Sequence, residues 1–170
     1  MIDSRRKLKF YIEADAIMNE QVFPQSWLKR MFFPSLIEKF LRVMRKLEYY
    51  DYAHKRQKYL VPLWLYYKKR YEQLKVRTGF DIPINTIGYG VRIGHLSTIV
   101  INGNTKIGNY CCMSNNITIA DASRKIIGNH VFLGSNIVIA KNIRIADGCT
   151  ISSCSLQNKS AEEENMLWGG

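Results

Sequence analysis

Hydrophobic residues recur at two different spacings, and the change of spacing divides the chain. Before Gly79, apolar side chains recur every three or four residues, which is typical of amphipathic helices. From Ile87 onward they recur every six residues, a spacing that neither a helix nor an ordinary strand produces. The sequence therefore predicts two architectures, a helical first part and a repetitive second part.

The first part contains three segments with helical spacing. One covers residues 4–20, a second begins near Pro34 and a third runs over residues 62–77. Proline is favoured in the first turn of a helix, which supports the start of the second segment. Gly79 follows the third segment, and glycine commonly ends a helix because it adopts the left-handed conformation without steric cost.

The second part follows a repeat of six residues. Its aliphatic positions are Ile87, Ile93, Ile99, Ile107, Met113, Ile119, Ile127, Leu133, Ile139, Ile145 and Ile151. The repeat slips by two residues between Ile99 and Ile107, and again between Ile119 and Ile127. A parallel β-helix explains the pattern, because each hexad forms one flat face and three hexads complete a coil. We therefore predict a β-solenoid of about four coils over residues 87–156, with projecting loops at the two slips.

The excess positive charge belongs to the helical part. The chain carries 25 basic and 14 acidic residues, a formal net charge of +11. Residues 1–78 hold 18 of the basic and 8 of the acidic residues, together with 15 of the 20 aromatic ones. Residues 79–170 are almost neutral, at +1. The charge therefore bears on where the protein sits rather than on chemistry in the repetitive part.

Several classes of protein are excluded or disfavoured. The longest apolar run, residues 60–67, contains Pro62 and is far shorter than the roughly 20 residues of a membrane-spanning helix. The charged start of the chain lacks the apolar core of an export signal, so we expect a cytoplasmic location. The four cysteines form no CxxC pair, and the three histidines are scattered, so neither a disulfide framework nor a zinc site is expected.

Four stretches of the chain carry a resemblance to a known family. They are residues 45–50, 78–83, 88–95 and 98–104. Through them the chain resembles the hexapeptide-repeat acyltransferases of the left-handed β-helix type, in the serine acetyltransferase-like branch. Within that branch it looks most like the members proposed to work on surface polysaccharides. The resemblance implies an α-helical segment over residues 1–78, a left-handed parallel β-helix over residues 79–170, a homotrimer, and acetyl-CoA bound between neighbouring β-helices.

The resemblance also implies a catalytic base. His95 occupies the position of the family's catalytic histidine and would take the proton from an acceptor hydroxyl as that oxygen attacks the acetyl-CoA thioester. Asp81 lies one residue closer to this histidine than the aspartate that the family carries upstream. It is the candidate for orienting His95, and capping the turn at residues 80–83 is the alternative role.

Four small residues match the positions that line the family's CoA groove: Ala120, Ser135, Ala140 and Ser153. Each of them could equally be a simple β-helix corner, where small side chains are the default. No metal is implied by the resemblance.

Two departures from the family bear on function. Serine acetyltransferases carry a longer loop, rich in glycine and containing a histidine, where this chain has only residues 121–126. The short loop disfavours serine as the acceptor and favours a sugar hydroxyl. After the acidic run at residues 162–164 the chain lacks the segment that closes the last coil in the family, so we expect the C-terminal cap to be missing.

These observations favour one function and leave two alternatives. The favoured function is an acetyl-CoA-dependent O-acetyltransferase acting on a sugar of surface or capsular polysaccharide. The alternatives are a serine O-acetyltransferase of cysteine biosynthesis and a non-catalytic trimeric scaffold. The basic, aromatic helical part carries no nucleic-acid motif. It favours contact with an anionic membrane at its inner face, while packing between helices is the plainer explanation of its aromatic residues.

Overall fold

The computed structural model describes residues 1–20 and 35–169. The chain begins with helix α1 (Arg5–Glu20), helix α2 (Leu36–Arg56), a 3-10 turn (Lys58–Leu60) and helix α3 (Val61–Thr78). The strands that follow are β1 (Phe80–Asp81), β2 (Arg92–Ile93), β3 (Ile99–Ile101), β4 (Thr105–Ile107), β5 (Cys112–Met113), β6 (Ile117–Ile119), β7 (Lys125–Ile127), β8 (Phe132–Leu133), β9 (Ile137–Ile139), β10 (Ile143–Ile145), β11 (Thr150–Ile151), β12 (Leu156–Gln157) and β13 (Leu167–Trp168).

The ends of the helices follow local chemistry. The Ser4 hydroxyl accepts a hydrogen bond from the backbone N–H of Lys7 at 3.2 Å and caps α1. Ser35 caps α2 in the same way. Helix α3 ends at Gly79, which has a φ of 78° in the left-handed region. The predicted helical segments are thus confirmed within the described residues, and Pro34, the predicted start of the second, lies outside them.

The strands form a solenoid of about five turns with three flat faces. Face 1 contains β1, β3, β6, β9 and β12, face 2 contains β4, β7 and β10, and face 3 contains β2, β5, β8, β11 and β13. The strand pairs are parallel, and the fold is the predicted left-handed β-helix preceded by helices. It has one turn more than predicted, because β1, β12 and β13 also join the faces.

The repeat builds a core from rows of stacked aliphatic side chains. On face 3, Ile93 stands in register with Met113, Leu133 and Ile151 in successive coils, and all four are buried. Burying such a side chain contributes about 1.5–3 kcal/mol. The solenoid therefore gains stability from each coil that stacks on the next.

The sequence placed the first two-residue slip of the repeat between Ile99 and Ile107. In the structure this slip lies before Ile99. Ile101 stands opposite Ile119, the position that the six-residue count had assigned to Ile99. Both Ile99 and Ile101 are buried, because alternate residues of a strand point to the same face. The two extra residues therefore belong to the corner at residues 94–98, which contains His95.

The second slip lies where the sequence predicts it, in the corner at residues 120–124. Lys125 follows this corner on face 2 and is fully buried, with its ammonium inside the coil. Its Nζ donates to a carboxylate oxygen of Asp121 at 2.8 Å and to the carbonyl oxygen of Ser123 at 2.9 Å. The hydrogen bond from Lys125 lowers the pKa of Asp121 well below its usual range, and the Ser123 hydroxyl lowers it further. The buried ammonium of Lys125 thus stabilises this corner through hydrogen bonds from inside the coil.

The Lys125–Asp121 contact should make the stability of the corner depend on pH. Because the pKa of Asp121 is lowered in the folded state, the stabilisation is full above the usual aspartate pKa and declines as the pH falls below about 4. We expect Lys125→Met to lower the free energy of unfolding more at neutral pH than in acid. Urea unfolding of both proteins across this range measures the difference, and an equal loss at every pH would contradict the prediction. Asp121→Asn serves as the matched variant.

Helices α1 and α2 cover the first edge of the solenoid with a buried polar cluster, the cap cluster, formed by Asp15, Asn19, Arg45 and Glu48. The Arg45 guanidinium lies 2.8 Å from a carboxylate oxygen of Asp15 and 3.1 Å from one of Glu48. It also donates to two backbone carbonyl oxygens of the first coil, at residues 87 and 88. Burial alone would lower the pKa of Arg45, but the two carboxylates more than offset this and raise it.

The rest of the cap cluster bonds to the backbone of the same coil. A carboxylate oxygen of Asp15 accepts from the N–H of Val91 at 3.0 Å, and Glu48 accepts from the N–H of Asn85 at 2.7 Å. The Asn19 amide donates to the carbonyl oxygen of Val91 at 2.8 Å. A solenoid leaves unpaired backbone groups at its first coil, and this cluster satisfies several of them. The helical part is therefore the N-terminal cap of the β-helix.

Candidate functional site

His95 lies at the corner where face 3 turns into face 1. We call this the histidine corner; it comprises residues 94–98, 114–116, 134–136 and 152–154 of successive coils. The His95 side chain is exposed. Coils of the solenoid are about 4.8 Å apart. A substrate lying along the corner would therefore meet a side chain from each coil in turn.

Small hydroxyl side chains continue the histidine corner beyond His95. The hydroxyl oxygens of Ser114 and Ser135 are 2.7 Å apart, and the Ser135 hydroxyl donates to the amide oxygen of Asn115 at 2.6 Å. In the next coil, the Ser153 hydroxyl accepts from the backbone N–H of Ser135 at 3.0 Å. The structure thus brings two of the predicted CoA residues, Ser135 and Ser153, into one row with His95.

The other two predicted CoA residues lie on a different corner. Ala120 and Ala140 follow face 1 where it turns into face 2, and each donates its backbone N–H to the next coil, to Ile139 and Gln157 respectively. The four predicted CoA residues therefore form two rows on either side of face 1. They do not form one continuous strip.

Asp81 lies on β1, in register with Val100 of β3. Its carboxylate is 2.7 Å from the ammonium of Lys75, and this hydrogen bond raises the pKa of Lys75. Within residues 1–20 and 35–169, His95 makes no hydrogen bond to Asp81 or to another side chain. The proposed orientation of His95 by Asp81 stays a prediction.

Ser114 and Asn115 belong to the candidate site and were missed in the sequence. They lie one coil beyond His95, because Ile93 pairs with Met113 across a step of 20 residues. This coil step is the signal that could have found them. A residue that lies one coil step after a candidate base along the chain is at the same corner of the solenoid.

The remaining histidines lie elsewhere. The His54 ring stacks on Trp64 in the helical part, with ring centroids 4.6 Å apart. His130 stacks on Tyr110 at the corner between faces 2 and 3, with centroids 5.1 Å apart. In the described part of the chain, histidine, cysteine, aspartate and glutamate side chains do not form a group of three that could hold a metal ion.

Comparison with known proteins shows similarity in structure. No family model and no curated protein matches the chain. Among solved structures, a serine acetyltransferase in complex with CoA superposes with a TM-score of 0.76 at 18% identity, over 98% of this chain and 68% of that one. The soybean serine acetyltransferase complexed with serine gives 0.74 at 18% identity, over 97% and 68%.

A third similar structure is the Entamoeba histolytica serine acetyltransferase isoform 3 in complex with cysteine. Its TM-score is 0.72 at 19% identity, over 95% of this chain and 57% of that one. The chain spans 63% of the length of the Entamoeba histolytica serine acetyltransferase 1 and 62% of the Neisseria gonorrhoeae enzyme. At these identities the similarity shows that the chain has the fold of the serine acetyltransferases: a helical segment followed by a left-handed β-helix.

Proposed function

We propose that this protein is an acetyl-CoA-dependent O-acetyltransferase. The observation that carries the proposal is the exposed His95 at the head of a row of hydroxyl side chains. This row lies on a fold shared with a serine acetyltransferase whose structure contains CoA. An imidazole at the edge of an open corner suits a general base, because it can exchange protons near neutral pH and can be reached by two substrates.

The proposed reaction is a direct transfer of the acetyl group. The His95 imidazole removes the proton from the acceptor hydroxyl while that oxygen attacks the thioester carbonyl carbon. The bond from carbon to sulfur then breaks, and the departing sulfur of CoA takes up the proton held by His95. The products are the O-acetyl ester and CoA with a free thiol. Each bond and proton is accounted for without a metal or an acyl-enzyme.

The donor substrate would lie along the histidine corner. Ser135 and Ser153 supply small, polar side chains one coil apart on the side of face 1 that carries His95. Ala120 and Ala140 supply small side chains where the opposite corner begins. We propose that acetyl-CoA lies beside the row formed by Ser135 and Ser153. The row formed by Ala120 and Ala140 borders the other edge of face 1.

Serine is the first candidate for the acceptor. The similar structures are serine acetyltransferases, one of them with serine bound and another with cysteine. These comparisons favour serine over the sugar hydroxyl that the sequence favoured. A sugar hydroxyl on a surface polysaccharide is the second candidate, because the corner at residues 120–124 is short and pinned by Lys125. A non-catalytic scaffold is the remaining alternative.

A homotrimer is part of the proposal. The outer surface of face 1 exposes three apolar side chains in one register row, Val100, Val138 and Leu156, with the partly buried Thr118 between Val100 and Val138. Aligned apolar side chains on a flat sheet are suited to burial against another subunit. Such packing would bring both corners of face 1 close to a neighbouring β-helix, where a donor could lie between subunits.

The acceptor is decided by measuring thiol release. We expect the protein to release CoA thiol from acetyl-CoA when serine is present, and to form O-acetylserine. The matched incubation replaces serine with soluble polysaccharides and their constituent sugars. Turnover with a sugar and none with serine would reverse the order of the two candidates. Absence of thiol release with every acceptor, together with absence of CoA binding in calorimetry, would favour the scaffold.

A further inference from the structure

The outward side of helix α3 displays large apolar side chains to solvent. Leu65, Tyr66 and Val76 are exposed on this side, with 54% of Tyr66 and 87% of Val76 accessible, and Tyr59 and Leu63 are exposed near the start of the helix. We call this surface the outer helix face. Single exposed apolar residues are common, but several on one helix face mark an interaction surface.

The opposite side of α3 already supplies the contacts that the fold requires. Tyr71, Leu74 and Thr78 are buried, and Trp64 and Tyr67 pack against the core. The outer helix face is therefore not needed to attach α3 to the rest of the protein. Its apolar side chains call for an explanation other than packing within the chain.

The outer helix face is also strongly basic. Residues 55–77 contain eight lysines and arginines and one acidic residue, Glu72. Lys69, Arg70 and Arg77 are exposed on the same side as Tyr66 and Val76. Lys75, by contrast, is paired with Asp81. The surface thus combines aliphatic and aromatic side chains with cations that lack such an ion pair.

We propose that the outer helix face docks on an anionic lipid surface. A helix of this composition lies in the plane of a membrane, with its leucine and tyrosine side chains at the boundary of the acyl chains. Lysine and arginine side chains then reach the lipid phosphates while their stems cover apolar surface. In the described ranges, 1–20 and 35–169, no helix is long and apolar enough to cross a bilayer. The contact would be peripheral, at the inner face of a membrane.

The composition of the surface favours a lipid over other partners. Leu65 and Val76 would gain little from a nucleic acid, whose contacts are phosphates and stacked bases. A second copy of the same face would bring two strongly positive surfaces together, which like-charge repulsion opposes. An anionic bilayer offers negative charge and an apolar layer at once. The proposal is independent of the acetyl-transfer proposal, because lipid binding requires no turnover.

Vesicle sedimentation tests the proposal. We expect the protein to sediment with vesicles that contain phosphatidylserine and phosphatidylcholine, and to stay in solution with phosphatidylcholine alone. Each basic residue near such a surface strengthens binding about fivefold. The variant Lys69→Gln/Arg70→Gln/Arg77→Gln should therefore bind about 100-fold more weakly. Binding of the unaltered protein should weaken as salt is raised towards about 0.15 M.

Two further variants separate the docking surface from net charge. Arg124→Gln/Lys141→Gln/Lys159→Gln removes the same charge from exposed solenoid positions and should bind vesicles like the unaltered protein. Leu65→Ser/Tyr66→Ser should weaken vesicle binding with only a small change in thermal unfolding, because about half of each side chain is exposed. Equal loss in the two charge variants would overturn the proposal. Absence of vesicle binding together with binding to an oligonucleotide would also overturn the proposal. An oligomer that the variant Leu65→Ser/Tyr66→Ser dissociates would overturn it as well.

Discussion

Replacing His95 with alanine is expected to lower kcat/KM for acetyl transfer by about 10²–10⁴-fold, the usual contribution of a general base. The side chain is exposed and makes no hydrogen bond within the described residues, so its removal should leave the fold intact. A steady-state assay of thiol release with the preferred acceptor measures the effect. The acidic limb of the pH–rate profile should disappear in the variant, because the group that takes the proton is gone.

His130→Ala is the matched control for this experiment. His130 is also an exposed corner histidine, but it lies between faces 2 and 3 and stacks on Tyr110. We expect its replacement to leave kcat/KM within about twofold. Unchanged turnover in His95→Ala would show that the proposed site does not perform the chemistry. Loss of turnover in His130→Ala alone would move the site to the other corner.

The same pH–rate profile tests Asp81. A positioning residue would shift the acidic limb in Asp81→Asn without removing turnover. Its exposed pairing with Lys75 predicts only a small change in stability, within about 1 kcal/mol. If the acidic limb of the pH–rate profile does not shift in Asp81→Asn, the result would contradict the orienting role that the resemblance implies for this residue.

Replacing Arg45 with methionine is expected to lower the free energy of unfolding by about 3–5 kcal/mol. Arg45 is fully buried, and its loss would leave the carboxylates of Asp15 and Glu48 in the interior without a counter-charge. It would also remove the hydrogen bonds to the carbonyl oxygens of Ile87 and Gly88. Urea unfolding gives the free energy, and calorimetry should show a Tm lower by about 10 °C or more.

Arg42→Met is the control on the same helix. Arg42 is only partly buried, and its replacement should change the free energy of unfolding by about 0.5 kcal/mol or less. Adding Asp15→Asn and Glu48→Gln to Arg45→Met should recover much of the loss, because the buried charges are then gone. Failure of this recovery would mean that packing of the arginine, rather than charge balance, holds the cap in place.

Much of the fold could be predicted from local patterns. The helices follow from apolar spacing and from end signals such as Ser4 and Gly79, whose effects act within one turn. The solenoid follows from the six-residue repeat, because stacking requires equivalent side chains to recur at a fixed interval. Ile99 shows the limit of counting: Ile101 is also apolar and inward, so the pattern alone did not show which of them continued the row.

The candidate site was predicted less completely. The resemblance pointed to His95, but its neighbours Ser114 and Asn115 are about 20 residues away along the chain. The resemblance joined Ala120 and Ala140 to Ser135 and Ser153 as CoA residues, although the two pairs lie on different corners. The corner that a residue occupies depends on the register between coils. That register depends in turn on the loops where the repeat slips.

The sequence by itself determined the helical segments, the parallel β-helix and the separation of basic charge from the repetitive part, since each depends on local or periodic order. Only the tertiary structure decided how the two parts join. Asp15 and Arg45 are 30 residues apart, and Asp15 lies 76 residues before the backbone group it binds at Val91. Buried hydrogen bonds of this kind depend on pairing across long separations, and neither periodicity nor composition records them.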